Sequence, residues 1–114
     1  MTTIYKICSR TEWDAAEAQG QFLGSAVDLR DGFIHFSAAA QLAETAAKHF
    51  AGQSDLMLIA VDAGALGAAL KWERSRNNDL FPHLHGALPL AAVRWARPLP
   101  DSVGGKRQIP ELAS

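Results

Sequence analysis

Leu56-Met57-Leu58-Ile59-Ala60-Val61 is the longest uninterrupted apolar run in the chain, closed at its two ends by Asp55 and Asp62. Six residues are too few for a buried helix and far short of the roughly 20 that span a bilayer, so the run reads as a strand covered on both faces. A strand of that kind needs neighbours on either side and a layer above and below. The 114 residues can supply them: a chain of this size buries roughly two thirds of the surface its unfolded form exposes, enough for one domain spanning 1–114. Its core is placed at about residues 4–99, and the tail from Asp101 is Gly- and Pro-interrupted, open to being flexible or an edge strand.

The elements around this strand follow from local pattern. Ile4-Tyr5-Lys6-Ile7-Cys8 is a short β-rich segment. Thr11 is a good N-cap with Asp14 three positions on, and Glu12 to Gln19 carries Trp13 and Ala16 at helical spacing before Gly20 stops it. Gly24-Ser25 belongs to a loop. Asp31-Gly32 makes a turn into an aromatic and β-branched strand, Phe33 to Ser37, whose period of two places Phe33, His35 and Ser37 on one face. Ala38 to Phe50 is the second helix, with Ala39, Leu42, Ala43, Ala46 and Phe50 in one stripe, Ser37 as N-cap and Gly52 as stop. Downstream come an Ala-Leu helical turn (63–70), a strand at Lys71-Trp72-Glu73-Arg74, a polar loop at Ser75 to Asp79, a short strand at Phe81 to Gly86 and another at Val93 to Ala96. Strands outnumber helices and the two main helices lie in the first half, which is the pattern of an α+β fold rather than a doubly wound one.

Charge and cysteine count exclude several roles. With 11 basic against 12 acidic residues the net charge is -1, whereas duplex DNA binding is driven by a concentrated basic surface. One cysteine forms no internal disulfide and no charged-then-apolar leader opens the chain, so the expected setting is cytoplasmic, with no membrane association. Cys8 reads as a small buried hydrophobe, and no Gly-rich phosphate loop is present.

Chemistry concentrates at a few polar residues. His35 sits mid-strand among apolar neighbours, either as a satisfied half-buried residue or, because its strand ends at a capped helix beside Ser37, as a ligand group for an anion or sugar hydroxyl. His83 and His85 share a face in an extended segment and would need a third ligand, such as His35 or Glu73, to hold a metal. Glu73 follows Trp72, which pairs an acceptor for a sugar hydroxyl with a ring surface; the plain alternative is a core Trp beside a solvated edge. Arg74 and Arg76 are either surface charge or a grip on phosphate.

Taken together, Asp31-Gly32-Phe33-Ile34-His35-Phe36-Ser37, Gln41, Asp55-Leu56, Trp72-Glu73 and Phe81-Pro82-His83-Leu84-x-Gly86 resemble a family of small uncharacterised bacterial proteins known as a domain of unknown function. The resemblance covers residues 4–99 and implies an ADP-ribosyltransferase-like fold: a split, mostly antiparallel sheet with two main helices, clasping NAD in a cleft. Ile34-His35-Phe36-Ser37 is distantly similar to the strand of the RNA 2′-phosphotransferases that carries their second ligand-binding histidine. By the same resemblance Lys6 falls where those enzymes have their first, which implies that the ribose contact made there by an imidazole passes to an ammonium.

The small family's own pattern implies Glu73 and His83 as catalytic residues, and the resemblance implies His35, Ser37 and Lys6 as residues binding NAD or an ADP-ribose-like nucleotide, for which one of Phe33, Phe81 or Trp72 would supply a stacking ring and Arg74 or Arg76 a grip on the pyrophosphate. Breaking a nicotinamide–ribose bond passes through an oxocarbenium-like sugar and needs a fixed hydroxyl acceptor, a stacking surface and a held pyrophosphate rather than a protein nucleophile. Expected partners are a small-molecule nucleotide and an RNA or protein acceptor, for a monomer or small oligomer. Three roles follow: an ADP-ribosyl or phosphoryl transferase, a catalytically inactive binding module that keeps the cleft, or a metal-dependent enzyme using His35, His83 and His85.

Overall fold

The computed structural model describes residues 2–103, 106–107, 109–110 and 112. Its frame is a four-stranded antiparallel sheet in the order β4-β1-β5-β9, formed by Ser37–Ala38, Thr3–Ser9, Leu56–Asp62 and Val93–Leu99. The all-apolar run is β5, central as its composition requires, with β1 and β9 as neighbours. Leu56, Leu58 and Ala60 face one core with Tyr5, Leu42 and Ala46, while Met57, Ile59 and Val61 face a second core with Ile4, Cys8, Ile34 and Leu84. Each face carries its own layer, so the fold is α+β and mostly antiparallel.

The first layer is α3 (Leu42–His49), which lays Leu42 and Ala46 on the sheet. It is shorter than the expected 38–50: Ala39–Gln41 is a 3₁₀ turn, and Ser37 is not a cap but a strand residue paired with Tyr5. Gln41 starts the helix by accepting from the Ala38 N–H at 2.9 Å, and its amide donates to the Leu80 carbonyl at 2.8 Å.

The second layer is a three-stranded antiparallel sheet in the order β3-β7-β6, from Ile34–His35, Leu80–Leu84 and Leu70–Arg74. The segment 33–37, expected as one strand, is divided between the two sheets. Phe36 is the crossing residue, its N–H donating to the Pro82 carbonyl at 3.0 Å, so His35 pairs with His83 in one sheet and Ser37 with Tyr5 in the other. A uniform period of two cannot survive such a step, and the single expected face of Phe33, His35 and Ser37 is broken there.

Shorter pieces close the ends. β2 (Gln21–Phe22) pairs with β8 (Leu88–Pro89). The loop expected at Gly24-Ser25 runs directly into α2 (Ala26–Asp31), which ends at Gly32 in the left-handed conformation (φ 86°) that a side chain would strain. β10 (Ser102–Val103) and β11 (Lys106–Arg107) pair with each other. Arg107 donates to the carbonyls of Phe50, Gln53 and Pro100, holding this part of the tail against the end of α3. Within the tail, residues 104–105, 108, 111 and 113–114 lie outside the described residues. No helix among the described residues is long and apolar enough to cross a membrane.

The first helix, α1 (Arg10–Gln19), begins two residues earlier than its sequence suggests. Ser9, not Thr11, is the N-cap: its hydroxyl accepts from the Glu12 N–H at 3.0 Å while the Glu12 carboxylate accepts from the Ser9 N–H at 2.9 Å. Ser9→Ala is therefore expected to cost about 1 kcal/mol, and Thr11→Ala, at an exposed position, less than about 0.5 kcal/mol. Urea melts of the two variants check this, and equal losses would place the cap elsewhere.

Candidate active site

A cleft of about 610 Å³ opens where the two sheets part, beside the Phe36 crossing. Five residues expected at a site share its wall: Lys6 from β1, His35 from β3, Ser37 from β4, and Phe81 and His83 from β7. The volume lies within the range of small-molecule sites.

The organising group is one the sequence reading did not single out. Asp28, on α2, is 2% exposed and accepts four hydrogen bonds. The Lys6 ammonium lies 3.0 and 2.8 Å from its two oxygens, and the His35 Nδ1 lies 2.6 Å from Oδ1. The backbone N–H groups of His35 and Ser25 complete the set at 3.1 and 2.8 Å. Burial by itself pushes the Asp28 carboxyl up, but the bonds from His35, Lys6 and Ser25 outweigh it and hold the group well below the usual carboxylate range. Lys6 is accordingly not a loose ammonium: at 5% exposure it is locked in a buried ion pair. The other nitrogen of His35, Nε2, lies 3.1 Å from Asp31 Oδ2, and Asp31 in turn accepts from the exposed Arg30 guanidinium at 3.0 Å. Polar contacts thus run unbroken from the interior to the surface along Lys6, Asp28, His35, Asp31 and Arg30.

A second carboxylate fixes the second imidazole. β6 pairs with β7 so that Glu73 lies opposite Phe81 and Lys71 opposite His83, all on the face that carries His35. Glu73 Oε1 is 2.9 Å from His83 Nδ1 and 2.8 Å from His85 Nε2. Those two contacts hold the Glu73 carboxyl below its ordinary value. His83 is buried, and burial lowers its pKa; the Glu73 bond opposes this, while the neighbouring His35 and His85 reinforce it. The ring is therefore neutral at pH 7. A carboxylate at Nδ1 keeps the proton on that nitrogen and leaves the Nε2 lone pair without a partner among the described residues. Phe33 packs against all three imidazoles, stacked on His83 with ring centroids 4.2 Å apart and reaching His35 at 4.6 Å and His85 at 5.3 Å. His35 and His83 meet edge to face at 5.5 Å.

Other expected site residues fall elsewhere. Trp72 and Arg74 alternate with Glu73 along β6 and so project from the opposite face of the sheet; Trp72 is 43% exposed, outside the cleft. Arg74 donates to the Asn78 carbonyl at 3.0 Å, propping the tight loop 75–79 in which Asn77 and Asn78 take positive φ. The side chain of Arg76 lies outside the described residues. Glu73 does not line the cleft; its role as acceptor for a sugar hydroxyl gives way to that of a bracket for two histidines. Ser37 exchanges a hydrogen bond with Thr45 at 2.8 Å. Cys8 is buried, which pushes its thiol up to about 12 and leaves it inert as a nucleophile. Among the described residues no group of three or more His, Cys, Asp or Glu is arranged to hold a metal ion.

Removing the charge at Asp28 leaves the Lys6 ammonium buried without a counter-charge, so Asp28→Asn is expected to cost about 3–5 kcal/mol in urea unfolding. A carboxyl held low in the folded state contributes stability above its ordinary value of 3.8, and that stability is lost as pH falls through and below it. The variant should therefore also flatten the acid limb of the stability curve. A loss under about 1 kcal/mol with an unchanged acid limb would show that the ion pair is energetically idle.

Comparison with known proteins agrees with this architecture. Protein CC0527 from Caulobacter crescentus, in its X-ray structure, is 56% identical to this chain, with 94% of each chain covered and a TM-score of 0.89. Its solution NMR structure gives 57% identity over 95% of this chain and 93% of that one, with a TM-score of 0.83. No curated protein matches. Residues 7–96 match the model of a protein family of unknown function, DUF952, and the chain belongs to that family.

Proposed function

We propose that the chain binds a nucleotide, NAD or an ADP-ribose-like molecule, in the cleft between its two sheets, and acts there as an ADP-ribosyl or phosphoryl transferase. The observation that carries this reading is the pair His35 and His83: two imidazoles 5.5 Å apart on the wall of one nucleotide-sized cleft, each with its Nδ1 fixed by a carboxylate. A split, mostly antiparallel sheet that parts beside these residues supports the ADP-ribosyltransferase-like fold that the motifs imply. The residues present fit such a ligand. Phe81 offers an apolar wall, His35 and Ser37 offer polar groups for ribose or phosphate oxygens, and His83 Nε2 offers an acceptor for a hydroxyl. Bound NAD would supply a glycosidic bond whose cleavage leaves an electrophilic sugar; the acceptor, on RNA or a protein, would bring the nucleophile. A cytoplasmic setting and a monomeric or small oligomeric state belong to the same proposal.

Lys6 favours a second reading, that of a binding module without turnover. Where the RNA 2′-phosphotransferases carry an imidazole, this chain has an ammonium already neutralised by Asp28. An ion-paired lysine supplies neither the shape nor the acceptor nitrogen of histidine.

NMR titration with NAD and with ADP-ribose, following the ring signals of His35 and His83, tests the binding. Both rings are expected to shift at millimolar ligand while the exposed Trp72 signal stays in place. Unmoved rings end the proposal. Release of nicotinamide from labelled NAD, with tRNA or protein acceptors present, then separates transferase from module.

A further inference from the structure

We infer that His83 and His35 form a base and acid pair that cleaves a phosphodiester carrying a neighbouring ribose 2′-hydroxyl, as in RNA. This rests on the cleft being a nucleotide site and assigns its substrate class and chemistry.

The argument starts from what such a substrate lacks and what the cleft holds. A ribose phosphodiester brings its own nucleophile, so the protein must supply a base for the 2′-hydroxyl and an acid for the departing 5′-oxygen. His83 has the features of the base. Its Nδ1–H donates to Glu73, its ring is held by Phe33, and Nε2 keeps a lone pair. His35 has the features of the acid. Its Nδ1 and Nε2 both face carboxylate oxygens, Asp28 at 2.6 Å and Asp31 at 3.1 Å, and only the imidazolium donates to both. Two rings so close in one cleft, one with a lone pair left open and the other bracketed by two carboxylates, are arranged for paired proton transfers.

Asp31 gives this site a further property. Its carboxylate already puts an anionic oxygen on His35 Nε2 at the cleft wall, where a phosphate ester oxygen would sit. The side chain is about one-third exposed and is also bonded to Arg30 on the surface, so it can leave with its counter-charge when the substrate arrives. Asp28, by contrast, is buried and stays.

The step balances without a co-reactant. The 2′-hydroxyl proton passes to His83 Nε2 as the O2′–P bond forms; the P–O5′ bond breaks as His35 Nε2 gives its proton to O5′. The products are a 2′,3′-cyclic phosphate and a free 5′-hydroxyl. His83 is left protonated and His35 neutral, which is the state that hydrolyses the cyclic ester by the reverse transfers. Glu73 acts through His83 and is a positioning residue. The groups that set the pH profile are Glu73, His85, His35 and the cross-strand Lys71 around His83, and Asp28, Asp31 and Lys6 around His35.

Uridylyl-3′,5′-adenosine is the probe, with products separated by chromatography and the 2′-deoxyuridine analogue as a substrate without a nucleophile. Wild-type protein is expected to release cyclic uridine phosphate and adenosine with a bell-shaped pH dependence, and the deoxy analogue to remain intact. His83→Gln should lose at least about 100-fold in rate. Glu73→Gln, at a partly exposed position, should lower kcat with little change in KM, and Asp31→Asn should lower KM by removing the competing carboxylate. The histidine ring signals, followed by NMR with the deoxy analogue, read binding separately. Shifted rings without cyclic phosphate overturn this inference and leave the binding proposal standing. Unmoved rings with no product also overturn this inference, and the separate titration with NAD and ADP-ribose decides the binding proposal. Equal activity in His83→Gln overturns the inference by tracing cleavage to another source.

Discussion

A single carboxylate ties the two sheets together. Asp28 takes the ammonium of Lys6 from the four-stranded sheet and the imidazole and amide of His35 from the three-stranded one, from a helix of only six residues. A buried ion pair of this kind adds little net stability compared with apolar packing, yet losing one partner is costly because the other charge stays behind. Its consequence is positional. With Lys6 and His35 both fixed on Asp28, the sheets part at a defined place, and the cleft opens there with His35 at its wall.

The same logic repeats at Glu73, with a different electrostatic result. Asp28 lies in the interior and is stabilised by a full set of donors, whereas Glu73 is partly exposed and divides one oxygen between His83 and His85. Each carboxylate fixes the Nδ1 side of one imidazole and so decides what the other nitrogen offers. At His83 burial keeps the ring neutral; at His35 a second carboxylate, Asp31, waits on Nε2. Two histidines of identical chemistry thus offer different groups to one cleft, His83 an open acceptor nitrogen and His35 a ring bracketed by two carboxylates.

Much of this was readable in the chain. The central strand announced itself by an apolar residue at every position, and α3 by the spacing of Leu42 and Ala46. Lys6, His35, Ser37, Phe81 and His83, all marked by motif and resemblance, line one cleft. Other features were hidden for physical reasons. α2 inverts the normal pattern, turning Val27 and Leu29 outward at 43% and 67% exposure while burying Asp28, so neither periodicity nor composition marks it as a structural element. The segment 33–37 looks like one strand because the step between sheets takes a single residue, Phe36, and leaves β-compatible residues on both sides. Trp72 and Arg74 adjoin Glu73 in sequence, but alternation along β6 sends them to the opposite face.

A crystal structure of the chain grown with ADP-ribose tests the central claim most directly. Ligand density is expected beside the Phe36 crossing, with a polar ligand atom within hydrogen-bond distance of His83 Nε2 and the Lys6–Asp28–His35 set unchanged. An empty cleft at saturating ligand, or density confined to another surface, would contradict the account.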